Sequence, residues 1–260
     1  MWVMATAQVP TIVSLGDLAL DVFVRPDQAA VHGSDVTGVV RVLAGGSAAN
    51  FAIWTRRLGA DSAFIGAIGD DYPGAFLRAD LEREGCIAHL VRVQAPTAAI
   101  AVFVDADGER TMISDRAAAT LLDPTMIAPH MLPHGCRLHL PAYSLFVEPL
   151  SRAALHAAMV CRAGGGSIGL DLSSVGPLRA YGRDRFLTVL RQLAPDVLFA
   201  NAEEAAFLCD QDDAEAGSLL LQQYAPTVVW KLGAAGALAR GEVVAQIGGC
   251  LLYTSPSPRD

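Results

Sequence analysis

Across residues 11–232, short apolar, β-rich runs alternate with stretches of helical composition, and glycine, proline or aspartate marks most changes of period. Residues 11–15, 61–67, 87–93, 137–140, 167–172, 197–200 and 227–232 read as strands, and 48–58, 72–84, 149–163, 182–193, 203–209 and 213–224 as helices. Alternation of this kind builds βαβ units, so the expected fold class is α/β, a mainly parallel sheet flanked by helices. Two segments interrupt the series. Residues 22–25 and 36–42 read as one hairpin-like excursion, and 97–104 with 109–114 as another, turned by Asp105-Ala106-Asp107-Gly108. Together they predict a small β-sheet apart from the main one, placed to cover a site.

The 260 residues suffice to bury the core of one large domain, and no internal repeat is present. A net charge of −8, with only 19 Lys and Arg thinly spread, argues against a nucleic-acid groove or an anionic-membrane patch and favours a small-molecule partner. Mean hydropathy is high at +0.36, but alanine and valine carry it, and no apolar run reaches the ~18 residues that a spanning helix needs. The first ten residues lack the basic start of a secretion signal, which makes the cytoplasm the expected compartment. Cys86, Cys136, Cys161, Cys209 and Cys250 are scattered without a CxxC pair, so buried free thiols are expected. His130 and His134 stand four apart, but Pro129 and Pro133 prevent the helix that would make them a metal pair.

Ala44-Gly45-Gly46-Ser47-Ala48-Ala49-Asn50 follows a β-rich run and opens a helix that Gly59 closes. Two glycines let the backbone approach a ligand without Cβ obstruction, and Asn50 falls in the first helical turn, beside free backbone N–H groups. Asp17 and Asp21 follow the first strand, where open α/β sheets bind ligands. Asp21 suits hydroxyl groups, whereas Asp17 reads as a solvated loop acid. Asn201 and Glu204 stand three apart at the start of a helix, a spacing that serves a capping box or, as amide beside carboxylate, a hydrated Mg²⁺. Gly233 and Gly236, after Lys231, fit a strand-to-strand turn or a nucleotide contact.

Three of these stretches, residues 16–21, 45–60 and 201–204, resemble in order the motifs of the ribokinase or PfkB family of carbohydrate and nucleoside kinases, and the glycine turn at 231–236 is similar to the family's nucleotide loop. The resemblance implies a ribokinase-like sandwich with a small β-sheet lid, about 22–42 and 97–114, in a domain of residues 1–250. It implies ATP and Mg²⁺ as cofactors, and a sugar, sugar acid or nucleoside as acceptor. Asp21, Gly45, Gly46 and Asn50 would bind the acceptor. Asn201, Glu204, Lys231, Gly233 and Gly236 would lie along the nucleotide, with Glu204 acting on Mg²⁺ through water. The lid implies a homodimer, as in many members of the family. Neither nucleic acid nor membrane is implied as a partner.

The resemblance stops near residue 249. The family's later glycine-rich turn with its catalytic aspartate has no counterpart, so no catalytic base is assigned and the last strands and helices are expected to be missing. Residues 251–260 read as a non-native tail on a truncated frame, which predicts an inactive chain with uncovered core surface. Pro141-Ala142-Tyr143 stands where ribokinase has a sugar-binding acid, which disfavours ribose, and Arg116 is expected to face the pocket. A non-catalytic sugar-binding or nucleoside-binding protein of the same fold is the alternative. A Rossmann oxidoreductase is disfavoured, because residues 15–20 lack the G-x-G-x-x-G turn.

Overall fold

The computed structural model describes residues 11–29, 32–105 and 107–248, so the expectations for the tail lie outside the described residues. The strands are β1 (Ile12–Leu15), β2 (Ala19–Pro26), β3 (Gly38–Gly45), β4 (Ser62–Gly69), β5 (Ile87–Val93), β6 (Ala99–Val104) and β7 (Arg110–Asp115), then β8 (Arg137–Pro141), β9 (Ser167–Asp171), β10 (Val197–Asn201), β11 (Thr227–Lys231), β12 (Ala237–Arg240) and β13 (Val244–Ile247). The helices are α1 (Ser47–Arg57), α2 (Tyr72–Arg83), α3 (Leu150–Ala163), α4 (Val175–Tyr181), α5 (Arg183–Leu193), α6 (Ala202–Cys209) and α7 (Ala214–Leu221).

Nine strands form one sheet in the order β13-β12-β11-β10-β9-β8-β1-β4-β5. It is parallel from β5 to β11, and β12 and β13 add an antiparallel edge. That edge departs from the sequence reading, which ended the strands at 232. Each of the two strands has only four residues, and the residues of β13 are all exposed, so neither carries a strong apolar period. Helix α4 was also unexpected. The sequence reading leaves residues 175–181 unassigned, and Pro177 stands in the first helical turn, where its missing N–H costs nothing.

The period of two along the strands divides the core. Ile168 and Leu170, Leu198 and Ala200, Val228 and Trp230 turn to one face and pack with residues of α3 to α7 in a single apolar cluster. Phe186 and Trp230 are among the largest side chains fully inside it, each worth about 2–3 kcal/mol in removed apolar surface. On the opposite face, Phe64 and Ile68 of β4 pack with Ala48, Ala49, Ala52 and Ile53 of α1 and with Leu77 and Leu81 of α2. These two helices lie against β1, β4, β5 and β8. Further along that face, Gly169, Val197, Phe199 and Val229 stay half-exposed.

The second sheet has the order β3-β2-β6-β7. Each expected excursion is an antiparallel hairpin, and a parallel pairing of β2 with β6 joins the two. Its outer face sets Val42, Val22, Ala101 and Ile113 in one row and Val40, Val24 and Phe103 in the next. Val40, Val42, Phe103 and Ile113 of these rows are exposed. Where β6 begins, Asp71, the N-cap of α2, accepts hydrogen bonds from Gly74 N at 2.9 Å and from both the backbone and the hydroxyl of Thr97. The small sheet is thereby pinned to the main body.

Candidate functional site

Between the small sheet and the C-terminal ends of the main strands lies a cleft of about 240 Å³. Its floor is built at the end of β1 and the start of α1. Gly46 is the N-cap of α1 with φ at 103°, a left-handed conformation that favours glycine. A side chain there would strike the Asp17 carbonyl, and one at Gly45 would strike the Asp21 carboxylate. The two glycines thus let β3 and α1 close against the loop that carries Asp17 and the start of β2 that carries Asp21. Asp21 is buried at 7% exposure on β2 and lines the cleft with Gly46 and Asn50.

Asp17 is not the solvated acid that its loop position suggests. It pairs with Arg116, whose guanidinium also donates to the Tyr143 carbonyl at 3.2 Å and lies over the Tyr143 ring. Both charged side chains are largely covered, at 15% and 23% exposure, and both line the cleft, where Arg116 was expected. The roof consists of Ile100, Val102, Met112 and Ser114 on alternate positions of β6 and β7, with Arg110 at the start of β7.

The far wall comes from three neighbouring strand ends. Lys231, the last residue of β11, places Nζ 2.8 Å from Oδ1 of Asp171 at the end of β9 and 3.5 Å from Oε2 of Glu204. Asn201 ends β10 in register with Lys231 and caps α6. Its side chain accepts from Glu204 N at 2.9 Å, while Glu204 accepts from Asn201 N at 2.9 Å and from Asn201 Nδ2 at 3.1 Å, a complete capping box. Both oxygens of Glu204 are therefore engaged inside the protein. Burial pushes its carboxyl above the ordinary value of 4.5, against the downward pull of Lys231.

Beneath the wall, His139 of β8 lies flat on Phe51 of α1 and edge-on to Phe199. Burial holds its imidazole down at about 4, although Asp171 pulls the other way.

The structure brings Asp21, Gly46, Asn50 and Lys231 around one cleft. Gly45 stands directly behind Asp21. Asn201 and Glu204 support Lys231 from the side, and Asn201 borders a neighbouring open groove with Glu203, Asp213 and Leu232. Gly233 and Gly236 form the tight turn from β11 to β12 and do not line the cleft. Asp171 escaped the sequence reading, as did the pairing of Asp17. The rule that drew attention to the acids after β1 would have found Asp171, since it too ends a parallel strand.

The chain matches the model of the pfkB family carbohydrate kinases over residues 9–249. It is 33% identical over 209 residues to a fructokinase of Klebsiella pneumoniae, covering 76% of this chain and 67% of that protein. It is 30% identical over 224 residues to fructokinase-1 of Oryza sativa subsp. japonica, covering 84% and 68%. Its fold is that of the adenosine kinase from Sinorhizobium meliloti, with a TM-score of 0.82, 24% identity, and coverage of 95% of this chain and 82% of the other. The match along nearly the whole chain and the shared pairing of a large parallel sheet with a small roof lead to one assignment: this chain belongs to the pfkB family of carbohydrate kinases.

Proposed function

We propose that the protein serves as an ATP-dependent kinase for a hydroxyl group of a sugar, sugar acid or nucleoside, with fructose the first acceptor to test because two relatives are named fructokinases. The observation that carries this reading is the placement of buried Asp21 and of Asn50 in the same cleft as Lys231. A carboxylate and an amide at one end suit hydroxyl groups, and a cation at the other suits a phosphate. Asp21, Gly45, Gly46 and Asn50 form the acceptor end. Lys231, with Asn201 and Glu204 behind it, forms the phosphate end, and the turn at Gly233 and Gly236 lies along the nucleotide. A hydrated Mg²⁺ would neutralise charge on the phosphates. Asp171 and Glu204 are the carboxylates at this end, both beside Lys231, and Glu204 would act on the ion through water.

Phosphoryl transfer needs a base for the acceptor proton and donors for the charge that develops on the phosphoryl oxygens. Asp17 holds Arg116 and Asp171 holds Lys231, while Asp21 is assigned to the hydroxyl groups. Among the described residues each of the cleft's acids thus has another role, and we expect this chain to bind an acceptor far better than it phosphorylates one. The small sheet acts as the lid, and its exposed outer valines, with Phe103 and Ile113, pair two copies into a dimer.

Calorimetric titration with fructose, ribose and adenosine, run beside a coupled assay of ATP consumption, tests the reading. Acceptor binding that Asp21→Ala weakens tenfold or more supports it. Affinity unchanged by that substitution overturns the acceptor assignment, and rapid turnover by this chain overturns the expectation that it binds better than it phosphorylates. Sedimentation of the wild type and of Ile113→Lys tests the dimer, which the lysine should dissociate.

A further inference from the structure

Away from the cleft, the start of β8 and the last turn of α3 meet at two cysteines. Cys136 immediately precedes β8, and Cys161 lies two residues before the end of α3. Their sulfurs are 3.6 Å apart, in van der Waals contact, and the residues are only 1% and 2% exposed. The backbone around them is tightly fixed. Gly166 N donates to the Cys161 carbonyl at 2.9 Å, Ser167 N to the Cys136 carbonyl at 3.1 Å, and Gly135 N to the Gly164 carbonyl at 2.8 Å. A side chain at Gly166 would strike both the Cys136 carbonyl and the Cys161 sulfur, so the turn is bare where the two thiols sit.

We propose that Cys136 and Cys161 are a peroxide-sensitive dithiol that closes to a disulfide in the folded protein, tying the sheet to α3. A disulfide needs the sulfurs at about 2.05 Å, so they must approach by roughly 1.5 Å. Side-chain rotation supplies much of that without parting the stitched backbone.

The chemistry divides between the two residues. The Cys136 thiol donates to the Cys161 sulfur, and this hydrogen bond pulls the Cys161 thiol below its ordinary value, while the Cys136 and Ser167 carbonyls, each 3.5 Å away, stand ready to accept its proton. The same contact, together with burial, raises Cys136. Cys161 is thus the nucleophile, since the thiolate is the reactive form. Its thiolate attacks one oxygen of hydrogen peroxide, the O–O bond breaks, and the departing hydroxide takes a proton to become water. The Cys161 sulfenic acid is then attacked by the Cys136 sulfur. The S–O bond breaks, a second water leaves with the Cys136 proton, and the S–S bond forms. Two thiols are oxidised by two electrons and one peroxide is reduced to two waters. Burial restricts the reaction to an oxidant as small as peroxide, admitted by local opening at the end of α3. Among the other described cysteines, burial pushes the Cys86 and Cys209 thiols up, which leaves them slower to react.

Trypsin places the two residues on separate peptides, 117–137 and 153–162, each holding one cysteine. The folded chain would be treated with stoichiometric hydrogen peroxide, alkylated in denaturant and digested without reductant. A linked 117–137/153–162 peptide is expected, about 2 Da lighter than the sum of its reduced halves, reversible by dithiothreitol and absent from Cys161→Ser. Separate alkylation of Cys136 and Cys161 after peroxide would overturn the proposal. Cys161 carried to its sulfinic acid, or oxidation confined to Cys86 and Cys209, would overturn it equally. The wild-type digest decides the matter if Cys161→Ser fails to fold.

Discussion

Phe51 and His139 lie face to face, with ring centroids 3.4 Å apart and planes within 4° of parallel. The stack joins α1, which carries Asn50, to β8 in the middle of the sheet. It also seals the imidazole from water, and burial holds it down at about 4 from an ordinary 6.5.

This predicts a specific acid sensitivity. The folded value lies below the unfolded one, so between pH 6.5 and about 4 the unfolded chain binds a proton that the native chain refuses, and stability falls as pH falls through that window. The gap corresponds to at most about 3 kcal/mol. Burial lowers His89 as well, so the contribution of His139 must be read by difference. Urea midpoints at pH 7.5 and 5.0 should separate more in the wild type than in His139→Phe, which keeps a ring on Phe51. Equal separations would refute the assignment.

Asp71 and Thr97 fix the root of the lid. Burial pulls the Asp71 carboxyl upward, but hydrogen bonds from Thr97 and Gly74 outweigh it and leave the group below its ordinary value of 3.8. Its contribution is therefore present above pH 3.8 and is lost as pH falls below that value. Asp71→Asn keeps the cap on Gly74 N but sets an amide NH2 against Thr97 N, and should cost about 1–3 kcal/mol in chemical denaturation at pH 7. It should also weaken acceptor binding, although Asp71 does not line the cleft. A stable variant with unchanged affinity would show that the lid needs no such anchor.

Asp17 and Arg116 should behave as a unit. Removing either leaves the other charge largely covered and uncompensated, which costs more than removing both. Asp17→Asn and Arg116→Ala should each lower stability and acceptor affinity. The double variant should fall short of the sum by about 1 kcal/mol or more, measured by denaturation and titration of all four proteins. Strict additivity would mean that the pair is incidental.

Glu204 offers a way to separate stability from function. Its folded value is raised, so burying the charge removes stability as pH rises above 4.5. Glu204→Gln keeps one oxygen for Asn201 N, loses the bond from Asn201 Nδ2 and sheds that cost, so it should melt close to the wild type at pH 7 while binding nucleotide more weakly beside a less restrained Lys231. Glu204→Ala loses the cap and should cost about 1–2 kcal/mol. Thermal melts with and without ATP distinguish the two. Unchanged ATP stabilisation in Glu204→Gln would remove the residue from the phosphate end.

Much of the fold was legible because parallel strands and amphipathic helices write their periods locally. Residues 87–93 were read as the strand that β5 is, and the two excursions were read as a separate sheet. The floor of the cleft was legible for the same reason, since Gly45, Gly46 and Asn50 lie within six residues. The far wall was not. Lys231 meets Asp171 across 60 residues of chain, and Arg116 meets Asp17 across 99. Such meetings depend on strand order, which no local period encodes. Asp171 alone in the sequence is simply an acid at the end of a strand, and only β11, two strands away, makes it a partner.

Asp21 belongs to the lid sheet, one strand over from the roof residues Ile100 and Val102, through the parallel pairing of β2 with β6. In the proposed function, whatever Asp21 grips would therefore pull on the same small sheet that roofs it. On the proposed reading, free energy released at the hydroxyl groups would reach the roof through this one strand pairing, without a relay through the main sheet.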